Sequence, residues 1–408
     1  MAVVNDASAL FKEVYGDGAI KAVPQFAKIM KKVPFSKREK LGDKYVVPVV
    51  LAHEHGFSYG ADGAGAFTLN AAVAGTIKRA EIAGSMIVLR TQLSYEDVFK
   101  AAAGGPAAFE SATSLVVDNM QRSFAKRQEL AFLYGKRGLG EVSSINTGVI
   151  TLTDASWAPG IWSGMKDCIL EAFDGQTDTE NQHDTNLTVS AVSHSAKTVT
   201  VTGTSTSVVA ADHLYFKGAR TTTARSECAG LDEIYANTGT LFNISAATYE
   251  LWKAGAYAVG GEVSMRHALN GISQAVNLGL MENAWLIMAS KRWNSLNADQ
   301  AALKRHGAES VEMAENGSKA IRYHSDNGYT DVECHPFVKE GEAFLIPNPS
   351  KRLLRVGASD VTFRRPGLEE NIFRELVDNA GFELRAFADQ AIMLQIPAHG
   401  VKYTGITD

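Results

Sequence analysis

A chain of 408 residues, 45% apolar and 21% charged, is long enough for two or three compact units and too apolar for wholesale disorder. Its 40 Lys and Arg against 45 Asp and Glu give a net charge of −5, which excludes a body that grips phosphates over its whole surface. The three cysteines, Cys168, Cys228 and Cys334, lie far apart without a Cys-x-x-Cys pair, so reduced thiols made in a cytoplasm are expected rather than zinc or dithiol chemistry.

Residues 1–45 read as an arm. Short amphipathic signals at Phe26, Ile29, Met30 and Val33 are broken by Gly16, Gly18, Pro24 and Pro34, which predicts an extended segment with one short helix. Residues 1–50 hold nine Lys or Arg against five acids, so this stretch is +4 within a negative chain. Such a run is either a solvated basic face or a surface for an acidic partner such as nucleic acid. Asp6, Lys12 and Glu13 interrupt the start, so no secretory signal is expected.

The valine run around Pro48, from Tyr45 to Leu51, predicts an edge or bulged strand. Ile77 to Leu93 alternates at strand spacing through Ile82, Met86 and Val88, and the Gly- and Ala-rich stretch Gly56 to Gly75 lies between the two. Together they predict a long hairpin over 46–93. Its tip is too poor in large apolar groups to pack on its own core, so it should project and find a partner elsewhere. It is also too weakly apolar to span a bilayer, and no membrane partner is expected.

The clearest element is a helix from Pro106 to Tyr134, preceded by Gly104 and Gly105 and stopped by Gly135. Phe109, Ala112, Val116, Met120 and Phe124 form its apolar stripe, while Glu110 near the start and Lys126 and Arg127 near the end complement the helix dipole. At this length it is a rod of about 43 Å, more than a globular core needs. After a joint at Gly135, Gly138 and Gly140, Pro159 opens a predicted helix with Trp162, Met165, Ile169 and Phe173 on one face, ended by Gly175. From Thr177 to Lys217 the alternation of Leu187 with Val189, Val199 with Val201 and Leu214 with Phe216 predicts a small β-unit inserted between helices.

A helix over about 263–281 then feeds a strand from Trp285 to Ala289, and Ser290 can cap the next helix. Short strands follow at Val311, Ala320 to His324, Thr330 to Cys334, Ala343 to Pro347, Arg352 to Val356 and Val361 to Arg365. The end of the chain reads as two strands, Glu383 to Phe387 and Ala391 to Ile396, joined through Asp389 and Gln390.

Chemical motifs are sparse. Gly135-Lys136-Arg137 lacks the earlier glycine and the Ser or Thr of a phosphate loop, and Gly135, Gly138 and Gly140 follow a helix where a dinucleotide fingerprint follows a strand. Ser163 between Gly160 and Gly164 misses the nucleophile-elbow spacing, and the adjacent acids Glu369 and Glu370 diverge on most backbones. His53 and His55 flank Glu54 and would share a face on a strand, which is a start for a metal site without a third ligand at a recognisable spacing. Cys334-His335 reads as a strand end leading into Pro336.

The order of arm, long hairpin, glycine-bounded long helix, α/β unit and closing β-segment resembles the major capsid proteins of tailed bacteriophages, with the Hong Kong 97-type fold. The helix leading into Trp285 to Ser290, the run His335-Pro336-Phe337-Val338 with Ala343 to Pro347, and Ala391 to Gly405 resemble the family locally. The resemblance implies an α+β chain: N-arm at 1–45, E-loop at 46–93, spine helix with part of the P-domain at 94–144, A-domain at 145–350 with a β-rich insertion at 177–217, and a returning P-domain segment at 351–408. It implies self-assembly into hexamers and pentamers of an icosahedral shell around double-stranded DNA, with no catalytic, cofactor or metal site. Expected partners are other copies of the chain, DNA at the inner face with the basic arm as its best contact, a portal protein, a separate scaffolding protein and a minor capsid or cement protein. The expected location is the virion, after assembly in the bacterial host cytoplasm.

The family's type member joins subunits by a Lys–Asn isopeptide bond through an E-loop lysine. Here the tip from Gly56 to Gly75 has no lysine and Lys78 sits at its base, so no crosslink is expected. With only about 45 residues ahead of the hairpin, no built-in helical scaffolding segment is expected, but a separate scaffolding protein or none. Competing readings are an encapsulin-type nanocompartment shell, a metal-dependent hydrolase using His53 and His55, and a binding module suggested by the Thr-rich insertion.

Overall fold

The computed structural model describes residues 27–36, 44–63, 65–95, 106–203, 207–298, 321–325, 328–363, 373–376 and 380–408, with the side chains of the long helix placed from 117 onward. Most of the basic arm, Gly104 and Gly105, the strand expected at Val311 and the acids Glu369 and Glu370 lie outside these residues. The side chains of Phe109, Glu110, Ala112 and Val116 do too.

In chain order, helix α1 (Lys28–Lys32) and strand β1 (Phe35–Ser36) precede β2 (Tyr45–Ala52), β3 (Thr76–Ile82) and β4 (Ser85–Ser94). The long helix α2 (Pro106–Tyr134) leads to β5 (Gly140–Asn146), β6 (Val149–Leu152), the single turn α3 (Pro159–Trp162), β7 (Ile169–Phe173), β8 (Gln182–Ser193), β9 (Thr198–Thr202) and β10 (His213–Phe216). Next come α4 (Leu231–Ala236), β11 (Thr240–Leu241), β12 (Ile244–Ser245), β13 (Gly255–Gly261), α5 (Met265–Asn277), β14 (Ala284–Met288) and α6 (Ser290–Ala298). Last are β15 (Ile321–Ser325), β16 (Gly328–Cys334), β17 (Ala343–Pro347), α7 (Pro349–Arg352), β18 (Leu353–Thr362), β19 (Phe373–Glu375), β20 (Gly381–Leu394) and β21 (Val401–Ile406).

Three larger β-structures organise these elements. In a five-stranded sheet the 14-residue β20 pairs with β4, β18 and β19, and β1 adds parallel to β18. Successive strand residues face opposite ways, so Leu384, Ala386 and Ala388 of β20 turn onto Val117, Met120 and Phe124 of α2 and bury the described part of the rod's apolar face. A six-stranded sheet runs β13-β21-β17-β14-β16-β15. Its central strands β14 and β17 are buried at every position, which is why both read as unbroken apolar runs. Met265, Ala268, Ile272 and Ala275 of α5 cover one face, while Trp285, Ile287, Phe344 and Ile346 on the other join the main core. The third structure is a closed barrel, β10-β5-β6-β9-β8-β7, filled by Leu187, Val189, Val199, Val201 and Leu214. Closure leaves it no free edge.

Four sequence expectations need correction. The helix expected from Pro159 is one turn long, because Gly164 and Asp167 adopt positive φ of 71° and 65° and send Ile169 to Phe173 into strand β7 of the barrel. The β-unit is larger than 177–217, since β5, β6 and β7 come from outside that range. The second hairpin strand is two: β3 pairs with β2, whereas after Ala83-Gly84 the chain leaves the hairpin and β4 joins β20. Gly84 suits that break, because a Cβ there would meet the Asp389 carboxylate. Finally, Asp389 and Gln390 lie inside the continuous strand β20 and make no turn, and the two strands expected at Arg352 to Val356 and Val361 to Arg365 join as the one strand β18, Leu353–Thr362.

Candidate assembly interface

The ribbon β2–β3 has a buried root and an exposed remainder. Tyr45, Ala80 and Ile82 enter the main core, and Val47 and Leu51 follow them. Beyond Ala52 the pattern inverts. Of the thirteen large apolar side chains exposed among the described residues, nine lie between Val50 and Val88, so the subunit's uncovered apolar surface is concentrated here. Tyr59 is 88%, Leu69 74%, Phe57 66% and Met86 72% exposed.

The tip is ordered by its own polar groups. Asn70 N–H donates to Ser58 Oγ at 2.6 Å, Asn70 Nδ2 to the Phe57 carbonyl at 2.7 Å, and His55 N–H to the Val73 carbonyl at 3.1 Å. Gly60 lets the Phe67 ring approach, since a Cβ would meet that ring at 2.7 Å. A tip shaped before it meets a partner loses less conformational freedom on binding. His53 and His55 are exposed and lie past the end of β2, so no strand aligns their rings. Among the described residues no three His, Cys, Asp or Glu side chains gather as a metal site. No helix among them is long and apolar enough to cross a membrane.

At the ribbon's root, Glu81 N–H donates to the Phe242 carbonyl at 3.0 Å and Asn243 Nδ2 to Glu81 Oε1 at 3.0 Å. Lys44 Nζ donates to Glu81 Oε2 at 2.6 Å.

Two buried polar centres hold the scaffold behind this surface, and sequence reasoning missed both. Glu129 of α2, fully buried, accepts the N–H groups of Ile29 (2.7 Å) and Met30 (3.2 Å) and so caps α1 from another element. It also accepts from His335 Nε2 at 3.0 Å, while His335 Nδ1 accepts the Phe337 N–H at 3.2 Å, which assigns the ring hydrogen to Nε2. Lys28 donates to the Cys334 carbonyl at 2.6 Å and Lys32 pairs with Glu333 at 2.6 Å, its ammonium lying 4.0 Å from the Trp285 ring centre. The described part of the arm is thus fastened to α2 and to the six-stranded sheet.

The second centre joins α4, the turn just before β17, and β21. Lys402 bridges Asp232 and Glu342, the latter at 2.6 Å. Burial alone would lower its ammonium, but the two carboxylates outweigh burial and hold it above the usual lysine range. Burial would raise Asp232, yet Lys402, Lys339 and Arg137 hold it below the usual carboxylate range. Lys339 Nζ donates to the Gly138 carbonyl at 2.7 Å and ties this centre to the end of α2. Nearby, His213 of the barrel is pushed down to about 4 by burial and by the cations Lys339, Arg137 and Arg220. Its Nδ1 lies 2.8 Å from Gln176 Nε2.

No protein-family model and no curated protein matches the chain. Solved structures do. The capsid asymmetric unit of cyanophage A-1(L) aligns over 95% of this chain and 93% of its own, with a TM-score of 0.53 at 11% identity. The capsid of a native GTA particle aligns over 94% and 91%, with a TM-score of 0.50 at 10% identity. With a projecting ribbon, a long helix under a five-stranded sheet and a six-stranded α/β sheet in the expected order, the chain has the α+β phage-capsid fold of the Hong Kong 97 type.

Proposed function

We propose that this chain is the major capsid protein of a tailed bacteriophage, assembling into hexamers and pentamers of an icosahedral shell around double-stranded DNA and catalysing no reaction. The observation that carries this reading is the ribbon: its apolar and aromatic groups point away from its own core, so covering them requires another surface. Other copies of the same chain are the economical source, because a ribbon on one subunit that meets a different surface on the next generates closed rings when the rotation closes.

On this reading β2–β3 and the tip form the E-loop, α2 is the spine helix, and the five-stranded sheet with α2 forms the P-domain, which takes β4 from the range first given to the hairpin. The six-stranded sheet forms the A-domain, and the barrel is its insertion. The basic arm faces DNA on the inside, and a portal, a separate scaffolding protein and a minor capsid or cement protein complete the particle in the host cytoplasm. The absence of lysine from Gly56 to Gly75 favours a shell without Lys–Asn crosslinks, checked by denaturing gels of boiled particles. Negative-stain microscopy of the expressed chain, alone and with scaffolding protein, tests the whole reading. Closed particles containing nuclease-protected DNA after packaging are expected; a small soluble monomer under every condition would overturn it.

A further inference from the structure

β11 and β12 pair antiparallel, Leu241 opposite Ile244, so Phe242 and Asn243 alone make the turn between them. Both have positive φ, 54° and 64°. Two-residue turns of this hand favour Asn and Gly, and a phenylalanine there is strained. Strain of this kind persists only where surrounding contacts hold it, and it gathers at functional positions.

What this turn supplies is the acceptor for Glu81. Among the described residues, the bond from Glu81 N–H to the Phe242 carbonyl is the only backbone hydrogen bond tying the ribbon to another element. Asn243 and Lys44 occupy the two carboxylate oxygens of the same residue. Glu81 and Lys44 are partly open to solvent, with side chains 30% and 54% exposed, so these polar links open at little cost, whereas the apolar root around Tyr45, Ala80 and Ile82 does not.

We propose that the Phe242–Asn243 turn is a clasp that sets the angle at which the ribbon leaves the subunit, with Glu81 as its positioning residue. The proposal rests on the shell reading and names what regulates that interface. Roughly eleven residues in each arm beyond Ala52 give a reach of at most about 36 Å if fully extended, so a change of about 10° at the clasp moves the tip by up to roughly 6 Å. That exceeds the range over which apolar side chains touch, about 4.5 Å. Held, the clasp gives every copy the same reach; opened, it lets copies differ.

The test compares full-length wild type with Glu81→Ala, which removes the carboxylate held by Asn243 and Lys44 and keeps the backbone N–H, and with Phe242→Gly, which relieves the strain and keeps the carbonyl. Glu81→Ala should leave the circular dichroism spectrum and urea midpoint of the subunit unchanged, speed amide exchange over 76–82 by roughly tenfold, and give particles of mixed diameter or none. Phe242→Gly should assemble like wild type. Glu81→Ala particles of uniform wild-type diameter would overturn the clasp. If wild type forms no particles at all, the shell reading fails, while unchanged exchange over 76–82 in Glu81→Ala separately overturns the clasp.

Discussion

Strands β14 and β3 are both short and both paired, yet they face opposite environments. β14 buries all five residues, with β16 and β17 on its edges and a core on each face. β3 buries only Ala80 and Ile82 and shows Ile77, Lys78 and Arg79 to solvent. The first strand does its work inside the subunit. The second has apolar groups that become useful only when something else covers them, so the same kind of substitution should act on folding in one region and on assembly in the other.

The largest effect is expected where the sheet is covered on both sides. Phe344 of β17 is fully buried between the rings of Tyr134 and Tyr235, at 6.4 and 5.6 Å between centres. Phe344→Ala should lower subunit stability by about 3–5 kcal/mol, read by urea unfolding. A loss under about 1 kcal/mol would mean that the six-stranded sheet is less tightly packed than its burial indicates.

Next comes acid. Because His213 titrates near 4 when folded and near 6.5 when unfolded, the unfolded chain binds more protons between these values. Its contribution is therefore complete above about pH 6.5 and is lost as the pH falls toward 4, by roughly 1–3 kcal/mol. His213→Gln should flatten that part of the stability profile between pH 7 and 5, while leaving any acid loss from the depressed carboxyl of Asp232 at lower pH.

On the ribbon the effect should move from folding to association. Phe57→Ala with Leu69→Ala should change subunit stability by less than about 0.5 kcal/mol. It should raise the concentration needed for particles roughly tenfold, as aromatic anchors do at interfaces. Equal loss in both assays would erase the distinction between β14 and β3. The smallest effect is expected for His53→Ala with His55→Ala: subunit stability within about 0.5 kcal/mol of wild type, and no stoichiometric metal in either protein by elemental analysis.

Periodicity made the long rod, the buried runs of β14 and β17 and the alternating strands of the insertion readable from composition alone. It misled between Pro159 and Gly175, where Trp162, Met165, Ile169 and Phe173 fall by chance at helical spacing. Nothing local announces that Asp167 takes a left-handed conformation. The ribbon was visible as a stretch that could not supply its own core, but its break at Ala83-Gly84 shows only when β4 pairs with β20, far along the chain. The lock at Glu129 was hidden for the same reason. An acid in an amphipathic helix and a histidine at a strand end each look ordinary, and they meet only across a separation of 206 positions along the chain.

That separation has a temporal side. Lys28 binds the Cys334 carbonyl across 306 positions, and Glu129 is fully engaged only once His335 exists. At ~5–20 residues per second, synthesis leaves the arm segment around Ile29 without its complete dock for roughly 15–60 s. During that interval helix α1, with Lys28 and Lys32, lacks its complete seat. Docking of the described arm segment thereby reports that the chain has been made past His335.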